Sequence, residues 1–135
     1  MKGGGLDLET AMEAARSASK RAYAPYSNFL VGAAILTRGG KVYAGSNVEN
    51  ASYGLSICAE RNAATTMASA DPKDRDIELI AVYSPNASPC FPCGACRQFL
   101  REFGCKEVVV DDGSQLRRYP FEQILPNSFG PEHLR

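Results

Sequence analysis

The sequence predicts a single α/β domain over residues 1–135, built on a mixed sheet of about five strands. Three observations carry that expectation. Short apolar runs alternate with segments whose apolar residues recur every three or four positions, in the order helix, strand, strand, helix, strand, helix, strand. Gly39-Gly40 separates the first two strands and marks a tight antiparallel hairpin, whereas later strands are joined through helices, and right-handed crossovers of that kind make strands parallel. The chain has the length of one domain, and its hydrophobic content of 44% is enough for a packed core.

Taken in order, residues 1–6 read as a flexible Gly-rich lead. From Asp7 to about Tyr23, Leu8, Met12, Ala15, Ala18 and Ala22 line one face of a helix that Asp7 caps and Pro25 ends. Phe29–Thr37 and Lys41–Ser46 form the hairpin. Asn47–Gly54 is a polar loop leading to a second helix, capped by Ser56 and running to about Ser69, with Ala59, Ala63, Ala64, Met67 and Ala68 facing inward until Asp71-Pro72 stops it. Ile77–Tyr83 is a buried strand and Ser84–Phe91 an irregular loop. Pro92 suits the first position of the next helix, where its missing N–H costs nothing. That helix continues through Phe99, Leu100 and Phe103 to a left-handed cap at Gly104. Glu107–Val110 is a strand, Asp111–Ser114 a turn, Gln115–Arg118 a short last strand and Phe121–Leu125 one helical turn. Phe129-Gly130-Pro131 begins a loose tail.

The charge is balanced, with 15 basic and 15 acidic residues and one His. Gripping a polynucleotide backbone needs a clustered positive field, so no nucleic-acid partner is expected and a small uncharged substrate suits better. No apolar run resembles a signal peptide or approaches transmembrane length, so the expected location is cytoplasmic with no membrane partner. Five cysteines, mostly clustered, favour a metal site over a disulfide scaffold, which is usually shorter and richer in cysteine.

Two segments concentrate the chemistry: Cys58-Ala59-Glu60-Arg61 and Pro92-Cys93-Gly94-Ala95-Cys96-Arg97-Gln98. Each opens a helix after a strand, and in open α/β sheets such openings meet beyond the carboxyl ends of parallel strands. The Pro-Cys-x-x-Cys spacing lets Cys93 and Cys96 reach one ion; Cys58 supplies a third sulfur. Three protein ligands with a vacant fourth position describe a catalytic rather than a sealed structural zinc. Glu60 is the acid/base such a vacancy needs, since thiolates acidify bound water less than imidazoles do; its plainer role would be to complement the helix dipole. Three thiolates leave a zinc complex at about −1. The helix N-termini would offset part of that charge, and Arg61 and Arg97 would donate to the sulfurs, Arg61 being favoured because it adjoins Glu60. An ordinary surface charge is the alternative for Arg97. Cys90-Phe91-Pro92-Cys93 is a second C-x-x-C, and the rival arrangement is a closed four-thiolate site of Cys58, Cys90, Cys93 and Cys96 in a non-enzymatic module. Cys105 reads as a buried inert thiol and His133 as solvated.

Cys-x-Glu followed by Pro-Cys-x-x-Cys resembles the zinc-dependent nucleoside deaminases. With Asn47-Val48-Glu49-Asn50 and the tail Leu125-Pro126-x-Ser128-Phe129-Gly130-Pro131, nearly the whole chain is similar to the small homotetrameric cytidine deaminases, although that family usually has Ser where Phe91 stands. The resemblance implies a three-layer α/β/α fold and one Zn²⁺ per subunit on Cys58, Cys93 and Cys96. It implies conversion of cytidine and 2′-deoxycytidine to uridine and 2′-deoxyuridine with release of ammonia, in pyrimidine salvage. Water at the zinc attacks C4, and Glu60 moves its protons to N3 and to the departing ammonia. Asn47 and Glu49 bind the ribose hydroxyls, mainly the 3′-OH; Phe29 lies against the substrate; the Ala59 backbone N–H meets the pyrimidine O2; Tyr53 touches the sugar. In the implied homotetramer the tail, residues 126–135, carries Phe129 into a neighbouring subunit's site to stack on the base. Editing and tRNA adenosine deaminases typically carry His where this chain has Cys58, which with the neutral charge favours a free nucleoside. Each transferred role has an ordinary rival: Asn47 shaping a turn, Glu49 solvated, Phe29 in the core, Phe129 frayed. A same-fold deaminase of an aminonucleoside such as blasticidin S is the other enzymatic reading, and Asn47-Val48-Glu49-Asn50 suits a ribose better.

Overall fold

The computed structural model describes residues 5–135, with side chains from Asp7 onward. Its elements are α1 (Gly5–Ser19), β1 (Gly32–Thr37), β2 (Val42–Ser46), α2 (Ala59–Ala70), β3 (Ile77–Tyr83), α3 (Gly94–Arg101), β4 (Glu107–Asp111), β5 (Leu116–Pro120) and α4 (Phe121–Ile124), with 3₁₀ turns at Tyr53–Leu55 and Pro131–His133. The five strands lie in the order β2-β1-β3-β4-β5. Only the β3–β4 pair is parallel; β1 runs against both β2 and β3, and β5 against β4. Strands β2, β3 and β4 therefore all point one way. The loops entering α2 and α3 leave the same end of the sheet.

The pleat divides the core into two layers. On β1, Ala33 and Ile35 face α2, α3 and α4, packing with Ala63, Ala64, Met67, Leu100, Phe121 and Ile124. Their neighbours Ala34 and Leu36 face α1, against Leu8, Ala11, Met12 and Ala15. All six β1 residues are buried, as expected of a strand covered on both faces. The result is the three-layer α/β/α arrangement. Two glycines let the layers close: a Cβ on Gly32 would lie 1.9 Å from Ala15 O in α1, and one on Gly45 would lie 2.5 Å from Ala63 N in α2.

Several boundaries differ from those read off the sequence. Residues 1–4 of the expected flexible lead lie outside the described residues, while Gly5 and Leu6 already belong to α1, so Asp7 sits in its first turn rather than at its cap. Helix α1 stops at Ser19, six residues before Pro25, because Tyr23 leaves to bridge Val48 and donates its N–H to Asn47 O (2.9 Å). Phe29–Val31 lie outside β1; Asn28, at φ 59°, turns the chain ahead of them. Ser56 does not cap α2, since its hydroxyl accepts the Asn50 N–H and the cap position is Cys58. Pro92 precedes the cap of α3, which is Cys93, and Phe103 follows the end of that helix. Gly104 adopts the expected left-handed conformation, φ 64°.

The tail is not loose. Arg101 donates to Ser128 Oγ (2.7 Å) and pairs with Glu132, and Gln98 donates to Phe129 O (2.9 Å). His133 is not simply solvated: its ring stacks on Phe129 at 5.2 Å, and its Nδ1 accepts the Gly130 N–H (2.9 Å). Among the described residues no helix is long and apolar enough to cross a membrane.

Candidate active site

Both cysteine-bearing segments follow strands that end on one edge of the sheet, and each starts its helix with a thiol. Cys58 caps α2 and Cys93 caps α3, both in extended conformation, and neither side chain accepts a backbone N–H of its own helix as a cap would. A cap normally uses its side chain to satisfy the first-turn N–H groups. These two sulfurs instead face each other over the positive ends of two helix dipoles, which favour negative charge. Cys96, buried in the first turn of α3, completes the set, and the three Sγ atoms lie within 4.8 Å of one another. Cys58 and Cys93 are 3.9 Å apart. A tetrahedral zinc with Zn–S of about 2.3 Å would separate its sulfurs by about 3.8 Å, so the donor set fits that ion.

The thiols ionise unequally. The hydrogen bond from Cys96, aided by those from Arg61 and Cys93, brings the Cys58 thiol down to about 5 against the opposing effect of burial. Cys96 is pushed upward by that same hydrogen bond and by burial. Arg61 Nη2 lies 3.6 Å from Cys58 Sγ, where the sequence placed a charge-balancing donor. Arg97 does not act that way: it donates to Pro92 O (2.7 Å) and Ile124 O (2.8 Å), clamping the α3 opening to α4.

Glu60, in the first turn of α2, is 4% exposed, and burial pushes its carboxyl up to about 7. Glu60, Cys58 and Cys93 line one cleft of about 340 Å³. Phe29, Asn47, Glu49 and Ala59 line the same cleft, so seven positions singled out from the sequence for catalysis, metal binding or substrate contact converge there. The Glu49 carboxylate accepts the Tyr26 N–H (3.0 Å), the Ser27 N–H (3.1 Å) and the Ser27 hydroxyl, and that hydroxyl chiefly holds it below the usual carboxylate range. Asn47 donates to Phe29 O (2.8 Å) and accepts the Val31 N–H (2.9 Å), so it shapes the chain around Phe29 and keeps one amide hydrogen free.

Two predicted contacts lie elsewhere. Tyr53 is 75% exposed in an adjoining hollow with Tyr26, its ring centroid 6.0 Å away. Phe129 is exposed beside His133 and does not line the cleft of its own chain. Cys90 lines the cleft but is not one of the three clustered sulfurs; burial raises its thiol to about 11. Ser27, Val31 and Phe91 line the cleft without having been singled out as wall residues. The Pro25-Tyr26-Ser27-Asn28 turn before Phe29 was the available signal for Ser27, but no spacing links it to Glu49. Phe91 is held edge-on against Tyr119 at 5.2 Å.

Comparison with known proteins extends the picture over most of the chain. Residues 6–111 match the family model described as the cytidine and deoxycytidylate deaminase zinc-binding region. A probable cytidine deaminase of Dictyostelium discoideum is 44% identical over 130 residues, covering 95% of this chain and 87% of that protein. A cytidine deaminase of Halalkalibacterium halodurans is 39% identical over 132 residues, covering 96% and 98%. The crystal structure of a cytidine deaminase from Burkholderia pseudomallei superposes with a TM-score of 0.79 at 45% identity, over 90% of this chain and 98% of that one.

Proposed function

The chain belongs to the zinc-binding cytidine and deoxycytidylate deaminase family, and we propose that it hydrolyses cytidine and 2′-deoxycytidine to uridine and 2′-deoxyuridine, releasing ammonia, as a step of pyrimidine salvage. The observation that carries this reading is the meeting of the sulfur trio, Glu60 and the Asn47/Glu49 pair at one cleft.

Cys58, Cys93 and Cys96 would hold the zinc, whose chemistry when bound is that of a Lewis acid polarising the attacking water. Glu60 takes one proton from that water and delivers it to N3 while a C–O bond forms at C4. It then passes the second proton to the exocyclic nitrogen as the C4–N bond breaks and ammonia departs. Arg61 steadies the negative charge on Cys58. Asn47, through its free amide hydrogen, and Glu49, through its fixed carboxylate, bind the ribose, mainly at the 3′-OH. Phe29 packs along the substrate, and the Ala59 N–H, unpaired within a first helical turn, meets the pyrimidine O2.

Exposure of Phe129, with its backbone held by Gln98, supports a role outside its own cleft. In a homotetramer it would stack on the base in a neighbour's site, and Tyr53 would approach the sugar. The formal charge of zero supports a free nucleoside rather than a nucleic acid as substrate. The test is ammonia release from cytidine by the zinc-loaded protein, with blasticidin S alongside. Turnover of cytidine is expected; a zinc-replete protein that leaves cytidine intact overturns the proposal.

A further inference from the structure

The wall of the cleft that carries Phe29 meets the sheet at its lower end, where the Asn47 N–H donates to Val31 O (3.3 Å), and its own N–H groups look elsewhere. Phe29, Leu30 and Val31 precede β1, and their three consecutive backbone N–H groups all donate to side-chain oxygens. Phe29 N donates to Ser27 Oγ (3.0 Å), Leu30 N to Asn86 Oδ1 (2.9 Å) and Val31 N to Asn47 Oδ1 (2.9 Å). Three side chains from three separate segments therefore take up the N–H groups of this wall, which a strand ladder takes up elsewhere.

Ser27 and Asn47 themselves line the cleft, and Asn86 does not. It sits in the loop between β3 and α3, the loop that ends in Cys93, and its own N–H donates to the hydroxyl of Ser84 (3.0 Å), which is 1% exposed. A buried hydroxyl at the carboxyl end of the central strand thus holds the backbone of the residue whose carboxamide accepts the Leu30 N–H.

We propose that Asn86 is a positioning residue for the nucleoside: it ties the Phe29 wall to the loop that delivers Cys93, and so sets the width of the cleft that receives the base. This rests on the deaminase reading above. Asn86 touches neither the metal group nor the cleft, so its effect passes entirely through the Phe29–Val31 backbone. Loss of one such bond should weaken substrate binding about two- to tenfold.

The test compares the zinc-loaded wild type with Asn86→Ala and Asn86→Asp, the latter keeping an oxygen acceptor at the same place. Two readouts are taken: hydrogen–deuterium exchange of the peptide spanning Phe29–Val31, and the separate kcat and KM for cytidine. The expected result is faster exchange and a raised KM in Asn86→Ala, with kcat and zinc content kept, and return of both toward wild type in Asn86→Asp. Unchanged exchange in Asn86→Ala overturns the proposal, as does faster exchange with an unaltered KM, or a fall in kcat alone. A general loss of stability would lower the active fraction and leave KM untouched, which separates it from positioning. If the wild type does not act on cytidine, the deaminase reading fails on its own, while the exchange comparison still decides whether Asn86 holds the wall.

Discussion

Gly45→Ala tests how the sheet sets the active end of α2. Gly45 lies on β2 opposite Ala33, with the first turns of α2 directly over it. An added methyl would stand 2.5 Å from Ala63 N, 2.7 Å from Asn62 Oδ1 and 3.0 Å from Ala59 O. Ordinary contact needs about 3.5 Å, so the helix must retreat by about 1 Å. Two of the three obstacles are helix backbone and cannot rotate away. The third, the Asn62 carboxamide, accepts the Ser46 N–H at 3.0 Å, and that bond is lost if it yields. Overpacking costs about 1–3 kcal/mol and the lost bond about 1 kcal/mol more. For a domain of this size that lowers the melting temperature by roughly 5–15 °C. Because Cys58, Ala59 and Glu60 ride on the same turns, zinc retention against a chelator should fall with it. The assay is thermal melting at one fixed zinc concentration, since bound metal adds to apparent stability. Gly54→Ala is the control: a Cβ there meets nothing within 4 Å, so it should be nearly neutral. A Gly45→Ala protein that melts within about 2 °C of wild type and keeps its zinc would refute the close approach and the reasoning built on it.

Other expectations follow from the site. Glu60→Gln should keep its zinc while kcat for cytidine drops by about 10²- to 10⁴-fold; metal content and steady-state rates measured on one preparation decide it. Cys96→Ala should lose zinc, whereas Cys90→Ala should keep both zinc and turnover; metal lost from Cys90→Ala would reinstate the four-thiolate arrangement. The Cys105 thiol, pushed up to about 12 by burial, carries almost no thiolate at pH 8 and gains it only as pH approaches that value. Iodoacetamide should therefore spare Cys105 in the folded chain and label it after unfolding, as mass spectrometry of the peptide would report.

The parts legible in advance were those written in spacing and periodicity. Cys-x-Glu and Pro-Cys-x-x-Cys picked out the three sulfurs that the fold clusters, and the order of elements brought them together, because two helices crossing from strands of one direction open at one edge. Ile77–Tyr83 was bounded correctly because its run of buried apolar residues coincides with the paired segment. Errors arose where a side chain or a long-range contact outbid the local signal. Tyr23 looked helical until pairing with the loop at Val48 drew it away. Phe29–Val31 looked like strand because of its apolar residues, yet its N–H groups go to Ser27, Asn86 and Asn47, of which only Ser27 is close in sequence. Arg97 reads as a charge near two thiols, and only the folded chain brings the Ile124 carbonyl within its reach. The roles of Gly32 and Gly45 depend on how closely helix and sheet approach, a distance that no single segment encodes.

The most direct measurement is X-ray absorption at the zinc edge of the purified, zinc-loaded chain. Three sulfurs at about 2.3 Å and one lighter oxygen or nitrogen scatterer at about 2.0 Å are expected for the Cys58, Cys93 and Cys96 set with a vacancy for water. A shell of four sulfurs, meaning a closed site with no place for the attacking water, would contradict it.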